Sequence, residues 1–378
     1  MEIEQARWTE SRGWEPHAPG TLEDPQLVLI FGAPEQLQRR DLLETIAAAW
    51  PEADLFGCST AGDIAGTQVS DESLVVTAVR FEHTVVRGAC TRIEGPQDSF
   101  AAGESLARTL IGEGLVHVFV LSDGLHVNGS ALVQGIASQL PPEVTVTGGL
   151  SGDGPRFQET LVLWKGAPAS HTIAAAGFYG SRLRIGYASL GGWDPFGPER
   201  LITRSAGNVL YELDGRCALD LYKTYLGPHA SDLPASGLLF PLSIRTEIGD
   251  TPVVRTILSV DETDQSMTFA GDLPTGCYAR FMKANFDRLI DGAVGAARTS
   301  HEAVGTSSPD LALLVSCVGR KLVLGQRVEE EVEGVREVLG DRTVLAGFYS
   351  YGEISPFTPT ARCELHNQTM TITTLAES

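Results

Sequence analysis

The densest set of chemically capable residues in the sequence is SDGLHVNGS, where Asp123, His126 and Asn128 stand between glycines. A carboxylate, an imidazole and an amide follow the apolar run Val116–Leu121 and precede a helix-like segment from Ala131. That is the carboxyl end of a strand, the usual ligand edge of an open α/β sheet. An Asx turn at a helix start has the same composition with no ligand at all, so both readings stand. Three further acids follow glycine in similar surroundings: Gly62-Asp63 in LFGCSTAGDI, Gly152-Asp153 in TVTGGLSGDG and Gly352-Glu353 in VLAGFYSYGEI. Each closes a short apolar run that empties into a glycine-rich turn, a place for a tight turn or for a ligand wall.

Other candidates are scattered. Trp193 and Phe196 in GGWDPFGPER form a proline-pinned apolar loop, fit to be a lid or an interface, or equally the packed seam between two domains. Arg204 and Asn208 follow it. Arg320, at the end of LALLVSCVGR, could hold a carboxylate bidentately or pair with Glu330 or Glu353 as a structural bridge. Tyr349 and Tyr351 interleave with glycine beside Glu353, where an amine or zwitterion could be cupped, with Arg204 or Arg320 on its carboxylate. Cys58 and Cys317 sit near strand ends, where nucleophiles often stand, and His126 could serve as a base. No spacing links them, and GCSTAG is not a GxSxG elbow, so a Cys-dependent enzyme is the weakest of the readings. The eight histidines are dispersed without an HExxH pattern, and no metal site is expected.

The elements that must position these residues read as α/β. Leu27–Phe31, Leu74–Phe81, Val116–Leu121, Thr172–Tyr179, Leu183–Ser189 and Leu311–Ser316 are buried-strand runs, and helix-like segments alternate with them. The three glycine-acid turns predict a β–helix–β–turn–β unit used three times in a two-region sheet protein with helices on the sheet faces. In the second half, ARFMKANFDRLIDGAVGAA carries Met282, Phe286, Leu289, Ile290 and Ala293 at helical spacing. Val328, Val332, Val335 and Leu339 face inward on a later helix, with Glu329, Glu330 and Glu333 outward.

The chain has 378 residues, 43% hydrophobic and 20% charged, enough to bury a sizeable core in two ordinary domains. With 28 Lys+Arg against 48 Asp+Glu, its formal net charge of -20 excludes nucleic acid and anionic membrane as partners. Six cysteines lie far apart without a CxxC pair, which favours reduced thiols in a cytoplasmic protein. The start, MEIEQARWTESRGWEP, is polar, and neither a secretory signal nor a membrane span is expected.

Taken together, SDG…NG…GG.SGD, the middle segment GGWDPFGPERLITRSAGNVLYELDGRCALDLYKTYLG and SCVGR…GFYSYGEISP resemble the FIST family, in the same order and over nearly the whole chain. The resemblance implies a bacterial-type sensory protein for intracellular signal transduction, with an N-terminal FIST region at 27–220 and a C-terminal one at 221–378 after an arm at 1–26. The breaker-rich GPHASDLPASG places the boundary between Asp214 and Pro241. It implies small-ligand binding without catalysis, with an amino acid or similar metabolite as the expected ligand, no cofactor, and a partner in trans such as a histidine kinase or a cyclic-dinucleotide enzyme. A protein-interaction scaffold is an alternative. So is a haem-based nitric-oxide sensor, since the family includes such members, with His126, His171 or His229 as axial candidates. The expected site lies between the two regions, with SDGLHVNG and GGLSGD facing WDPFGP or GFYSYGE.

Overall fold

The computed structural model describes residues 1–233, 235–245, 252–305, 308–357 and 362–378. Its strands of the main body are β1 (Glu2–Thr9), β2 (Leu27–Gly32), β3 (Asp54–Ser59), β4 (Asp63–Ala65), β5 (Ser73–Arg80), β6 (Val85–Arg92), β7 (Leu115–Ser122), β8 (Thr145–Leu150), β9 (Val162–Trp164), β10 (Thr172–Tyr179) and β11 (Leu183–Leu190). After an inserted sheet come β12 (Leu311–Cys317), β13 (Val344–Ser350), β14 (Gly352–Pro356), β15 (Cys363–His366) and β16 (Met370–Glu377). The helices that cover them are α1 (Arg40–Ala49), α2 (Ser99–Leu110), α3 (Gly129–Gln139), α4 (Phe286–Val304), α5 (Val318–Leu324) and α6 (Val328–Leu339).

Three mixed sheets result, and their strand orders are β9-β3-β2-β5-β1, β15-β14-β8-β7-β10-β6 and β11-β16-β12-β13-β4, the first and third with one further short edge strand. The pairs β2/β3, β7/β8 and β12/β13 are parallel and joined by helices, as a parallel connection requires. Strand periodicity sorts their side chains. Leu27, Leu29 and Phe31 enter a core shared with Phe119, Phe178, Val315 and Phe348 of the other two sheets, while Val28 and Ile30 turn outward under Leu42, Ile46 and Trp50. Phe31 and Phe348 meet at 4.8 Å between ring centroids, which locks the first sheet to the third.

At each glycine-acid turn the chain leaves one sheet and enters another. β3 of the first sheet runs on into β4 of the third, β13 of the third into β14 of the second, and the chain after β8 of the second reaches β9 of the first. Gly62 takes a φ of +135°, open to glycine and poorly tolerated by other residues.

Residues 194–283 build an inserted sheet of eight strands with the helix Ala218–Leu226 and a core of its own, centred on Ile202, Leu213, Tyr222, Phe269 and Phe281. Residue 221, where the sequence reading divides the chain, lies inside that helix, and from Phe286 the chain returns to the main body. Met282 belongs to the strand Tyr278–Lys283 rather than to the helix expected from its spacing. Helix α4 starts only after Asn285, whose side chain caps it by accepting from the N–H of Arg288. WDPFGP is likewise no loop: it opens the long strand Asp194–Ala206, paired with Tyr278–Lys283. Among the described residues no helix is long and apolar enough to cross a membrane.

Candidate functional site

The glycine-acid turns meet one another. The N–H of Ala61 donates to the carbonyl of Tyr349 at 2.8 Å, that of Gly152 to Ser59 at 3.0 Å and that of Tyr351 to Leu150 at 3.1 Å. Their acids are buried, and each is satisfied locally. Asp63 accepts from Thr60 Oγ1 at 2.5 Å and Ser73 Oγ at 2.8 Å. Asp153 accepts from the Tyr351 hydroxyl and from the N–H groups of Phe157, Gln158 and Glu159 at 2.9–3.0 Å. Glu353 accepts from Ser350 Oγ at 2.7 Å and from the N–H and hydroxyl of Thr369 at 3.1 and 2.9 Å.

Burial pushes the Asp63 carboxyl up to about 7 and that of Glu353 up to about 8, because their hydroxyl and amide donors offset only part of the lost hydration. Asp123 goes the other way. Burial raises it, but the N–H groups of Leu125, His126 and His171, with the His126 ring, outweigh that and hold it below the usual carboxylate range.

The loop 123–128 is therefore an Asx-type turn closed around Asp123, which also accepts from Thr160 Oγ1 at 2.8 Å. His126 and His171 stack over it at 3.8 Å. Their surroundings are hydrogen-bonded and polar, and His229 is exposed beside Phe240, so none of the three fits an axial ligand facing an apolar slot.

The remaining candidates divide among separate places. Tyr349 and Arg320 converge on Glu331, a residue the sequence reading passed over. The guanidinium donates to it at 2.6 and 3.1 Å, Ser316 Oγ at 3.1 Å and the Tyr349 hydroxyl at 2.7 Å, and both ion-pair partners are fully buried. This is the structural bridge foreseen for Arg320, with Glu331 in place of Glu330 or Glu353. Tyr351 stacks on Phe157 at 4.4 Å and belongs to the Asp153 turn. Trp193 is seam: its Nε1 donates to the carbonyl of Gln368 at 2.9 Å, and it packs with Met282, Leu289, Val323 and Leu324. Phe196 lies with Tyr225, Phe240 and Phe281 of the inserted sheet. Arg204 pairs with Glu212 on the surface, and Asn208 donates to the carbonyl of Phe269.

Asn128 does cross between the bodies. Its Oδ1 caps α3 through the N–H of Ala131 at 3.0 Å, and its Nδ2 donates to Asp272 of the inserted region at 3.2 Å. Beside it, Arg255 Nη1 donates to the carbonyl of Leu365 at 2.9 Å. The main body and the inserted sheet thus meet at α3, the turn from β15 to β16 and Trp193.

Burial pushes the thiols of Cys58, Cys317 and Cys363 well up, which removes the thiolate a cysteine nucleophile needs. Among the described residues no group of three or more His, Cys, Asp or Glu could hold a metal ion. Two surface hollows, of about 340 Å³ at Gln5–Arg7 and about 280 Å³ at Leu22–Trp50, touch none of the candidates above.

Residues 26–216 match the family model described as the FIST N domain, and residues 218–356 match the FIST C domain. No curated protein matches the sequence. Among solved structures, the crystal structure of cyanuric acid hydrolase from A. caulinodans is similar at 9% identity over 99% of this chain and 98% of that one, with a TM-score of 0.36, too low to carry an argument.

Proposed function

The chain belongs to the FIST family of intracellular sensory modules, its N and C domains together spanning nearly all of it, and from that premise we propose that it binds a small polar metabolite without turning it over and passes the event to a partner in trans. The family match carries the sensory part. The non-catalytic part is supported by thiols that burial holds protonated and by candidate acids already engaged as acceptors in turns. A site between the main body and the inserted sheet is supported by the polar contacts that join them, Asn128 to Asp272 and Arg255 to Leu365. Separation or closure of two bodies about such a junction changes the surface shown to a partner. A histidine kinase or cyclic-dinucleotide enzyme in the cytoplasm is the kind of partner this implies.

The three sheets support a reading as one unit used three times, each lending a strand to the next: β4 to the third sheet, β14 to the second and β9 to the first. Such mutual exchange makes the main body a single rigid frame, against which the inserted sheet is the part free to respond.

A thermal-shift screen of amino acids and related small metabolites tests the function, since a ligand that prefers the native state raises its apparent stability. At least one metabolite should stabilise the protein and be recovered unchanged after long incubation. Consumption of that ligand would defeat the non-enzymatic reading.

A further inference from the structure

The turn from β15 of the second sheet to β16 of the third gathers buried polar atoms that go unpaired. Asn367 and Gln368 are completely buried, yet among the described residues neither the oxygen nor the nitrogen of either amide has a hydrogen-bond partner, and His366 Nδ1 beside them has none. Native interiors pair nearly all such groups, so five unused atoms on three consecutive residues call for a cause.

The surroundings of Asn367 supply it. A Cβ placed on Gly352 would lie 3.6 Å from Asn367 Nδ2 and 2.9 Å from Leu365 Cδ1, and one placed on Gly129 would lie 2.9 Å from that same Leu365 atom. Two glycines therefore bring the first turn of α3 and the start of β14 onto Leu365 and Asn367 at the end of β15. Ser130, on that first turn, is nine-tenths buried and among the described residues its hydroxyl also lacks a partner. Arg255 reaches this turn from the inserted sheet through the carbonyl of Leu365. It is only 6% exposed, and all its hydrogen bonds go to backbone carbonyls, those of Asp272, Val254 and Leu365. Among the described residues no carboxylate comes within ion-pair distance of it. A buried guanidinium is ordinarily paired with an anion, and this one is not.

We propose that Arg255, Asn367 and Ser130 form a binding site for a small carboxylate carrying a polar α-substituent, an α-amino or α-hydroxy acid. The Nη2 end of the guanidinium, whose Nε and Nη1 already donate to backbone carbonyls, takes the carboxylate, the helix start reinforces it, and the Asn367 amide with the Ser130 hydroxyl offers a donor and an acceptor to the substituent. In a chain of net charge -20 an anion needs such a local cation. Because Arg255 belongs to the inserted sheet and Asn367 to the main body, the same ligand bridges both. This deepens the sensory reading and rests on it for the consequence of binding, while the residues stand on their own geometry.

The test is thermal shift and calorimetric titration of the full chain with glycine, L-alanine, L-serine, L-lactate and acetate, each at about 10 mM. At least one amino or hydroxy acid should raise the melting temperature by about 2 °C or more, and acetate, which lacks the substituent, should do less. Arg255→Met and Asn367→Leu should each weaken that ligand at least ~10-fold, and surface Arg204→Ala should leave it unchanged. Should Arg255→Met not fold, Arg255→Lys retains the charge without the fork and should fold and still bind ~10-fold more weakly. A ligand that binds both variants as well as the native chain would overturn the site and leave the sensory reading intact. If none of the five probes binds, the site is overturned, and Asn367→Leu raising the melting temperature of the free protein would then show that the orphaned groups hold water alone, while any hit elsewhere in the metabolite screen would keep the sensory reading.

Discussion

The three glycine-acid crossings and a fourth crossing, from β15 of the second sheet to β16 of the third, are equally buried and equally polar, but they treat hydrogen bonds in opposite ways. Asp63, Asp153 and Glu353 at the crossings have each found hydroxyl or N–H donors within their own turn or from the strand alongside. Asn367 and Gln368 on the turn from β15 to β16 have found none among the described residues. Buried polarity by itself is therefore a poor guide to a site, since a satisfied acid is as much a structural part as a leucine. Unsatisfied polarity, beside a cation without an anion, is the better guide.

The sharpest way to test that contrast is to damage the satisfied side. Removing one partner of the Arg320–Glu331 pair leaves the other charge buried alone, so Arg320→Met should cost about 3–5 kcal/mol in urea unfolding. Arg320→Met combined with Glu331→Leu should cost distinctly less than the two single changes added, because the stranded charge is gone. Strict additivity would show the pair to be less buried than its geometry. Next in size is Asp123→Ala, which strands the N–H groups of Leu125, His126 and His171 together with the Thr160 hydroxyl, at about 2–3 kcal/mol. If Asp123→Ala is neutral in stability but abolishes ligand binding, the loop is a site after all and the contrast fails there.

What could be read in the sequence follows the same line. The strands β2 and β12 were legible because LVLIFG and LALLVSC are unbroken apolar runs, and the glycine-acid turns because glycine next to an acid is a local pattern. That those turns carry the chain from one sheet into another was not legible, since strand exchange is decided by pairing between distant segments. The inserted sheet was missed as a unit because its strands are short and its first one begins in a proline-pinned segment that reads as a loop. Glu331 was overlooked amid a run of exposed glutamates, although it stands three residues after Val328 and one before Val332, on the inward face. The candidates of the chemical motifs were found, and most proved to be turn or seam. Asn128 and Trp193 reached the junction between the bodies. Arg255 and Asn367 carried no signal, because being unpaired is a property of the tertiary structure alone.

The crossings also predict a pH dependence of smaller size. Asp63 and Glu353 titrate near 7 and 8 in the fold but near 4 when unfolded, so the native state binds more protons between these values and stability falls as pH rises through the window. His366 acts in the opposite sense at lower pH. Burial holds its ring neutral down to about 4, which adds stability as pH rises from there to about 6.5 and nothing above. The clean interval is therefore from about pH 6.5 to pH 8, over which the native chain should lose on the order of 1 kcal/mol per acid. Asp63→Asn with Glu353→Gln should flatten that decline in parallel unfolding curves. An unchanged slope would mean that both acids are ionised throughout.

The smallest effect comes from the unsatisfied side, at Gly319 of α5. A Cβ there would lie 2.5 Å from Nε2 and 2.6 Å from Oε1 of Gln368, too close for any pair of atoms to remain in place. At Gly57 of β3 the same addition meets the carbonyl oxygen of Ile30 at 1.9 Å, a backbone atom in a sheet that cannot move without breaking its ladder. The Gln368 amide is the free end of a side chain and makes no hydrogen bond that displacement would break. Gly319 stands in the first turn of α5, where Gly319→Ala gains part of the ~1 kcal/mol of propensity that a helix interior offers. The two contributions should nearly cancel, leaving Gly319→Ala within about 1 kcal/mol of the native chain in urea unfolding, whereas Gly57→Ala should be severely destabilised. A loss of several kcal/mol at Gly319 would mean that the amide has nowhere to go, and that the polar groups of this turn are closed in too tightly to receive any ligand beside Gln368.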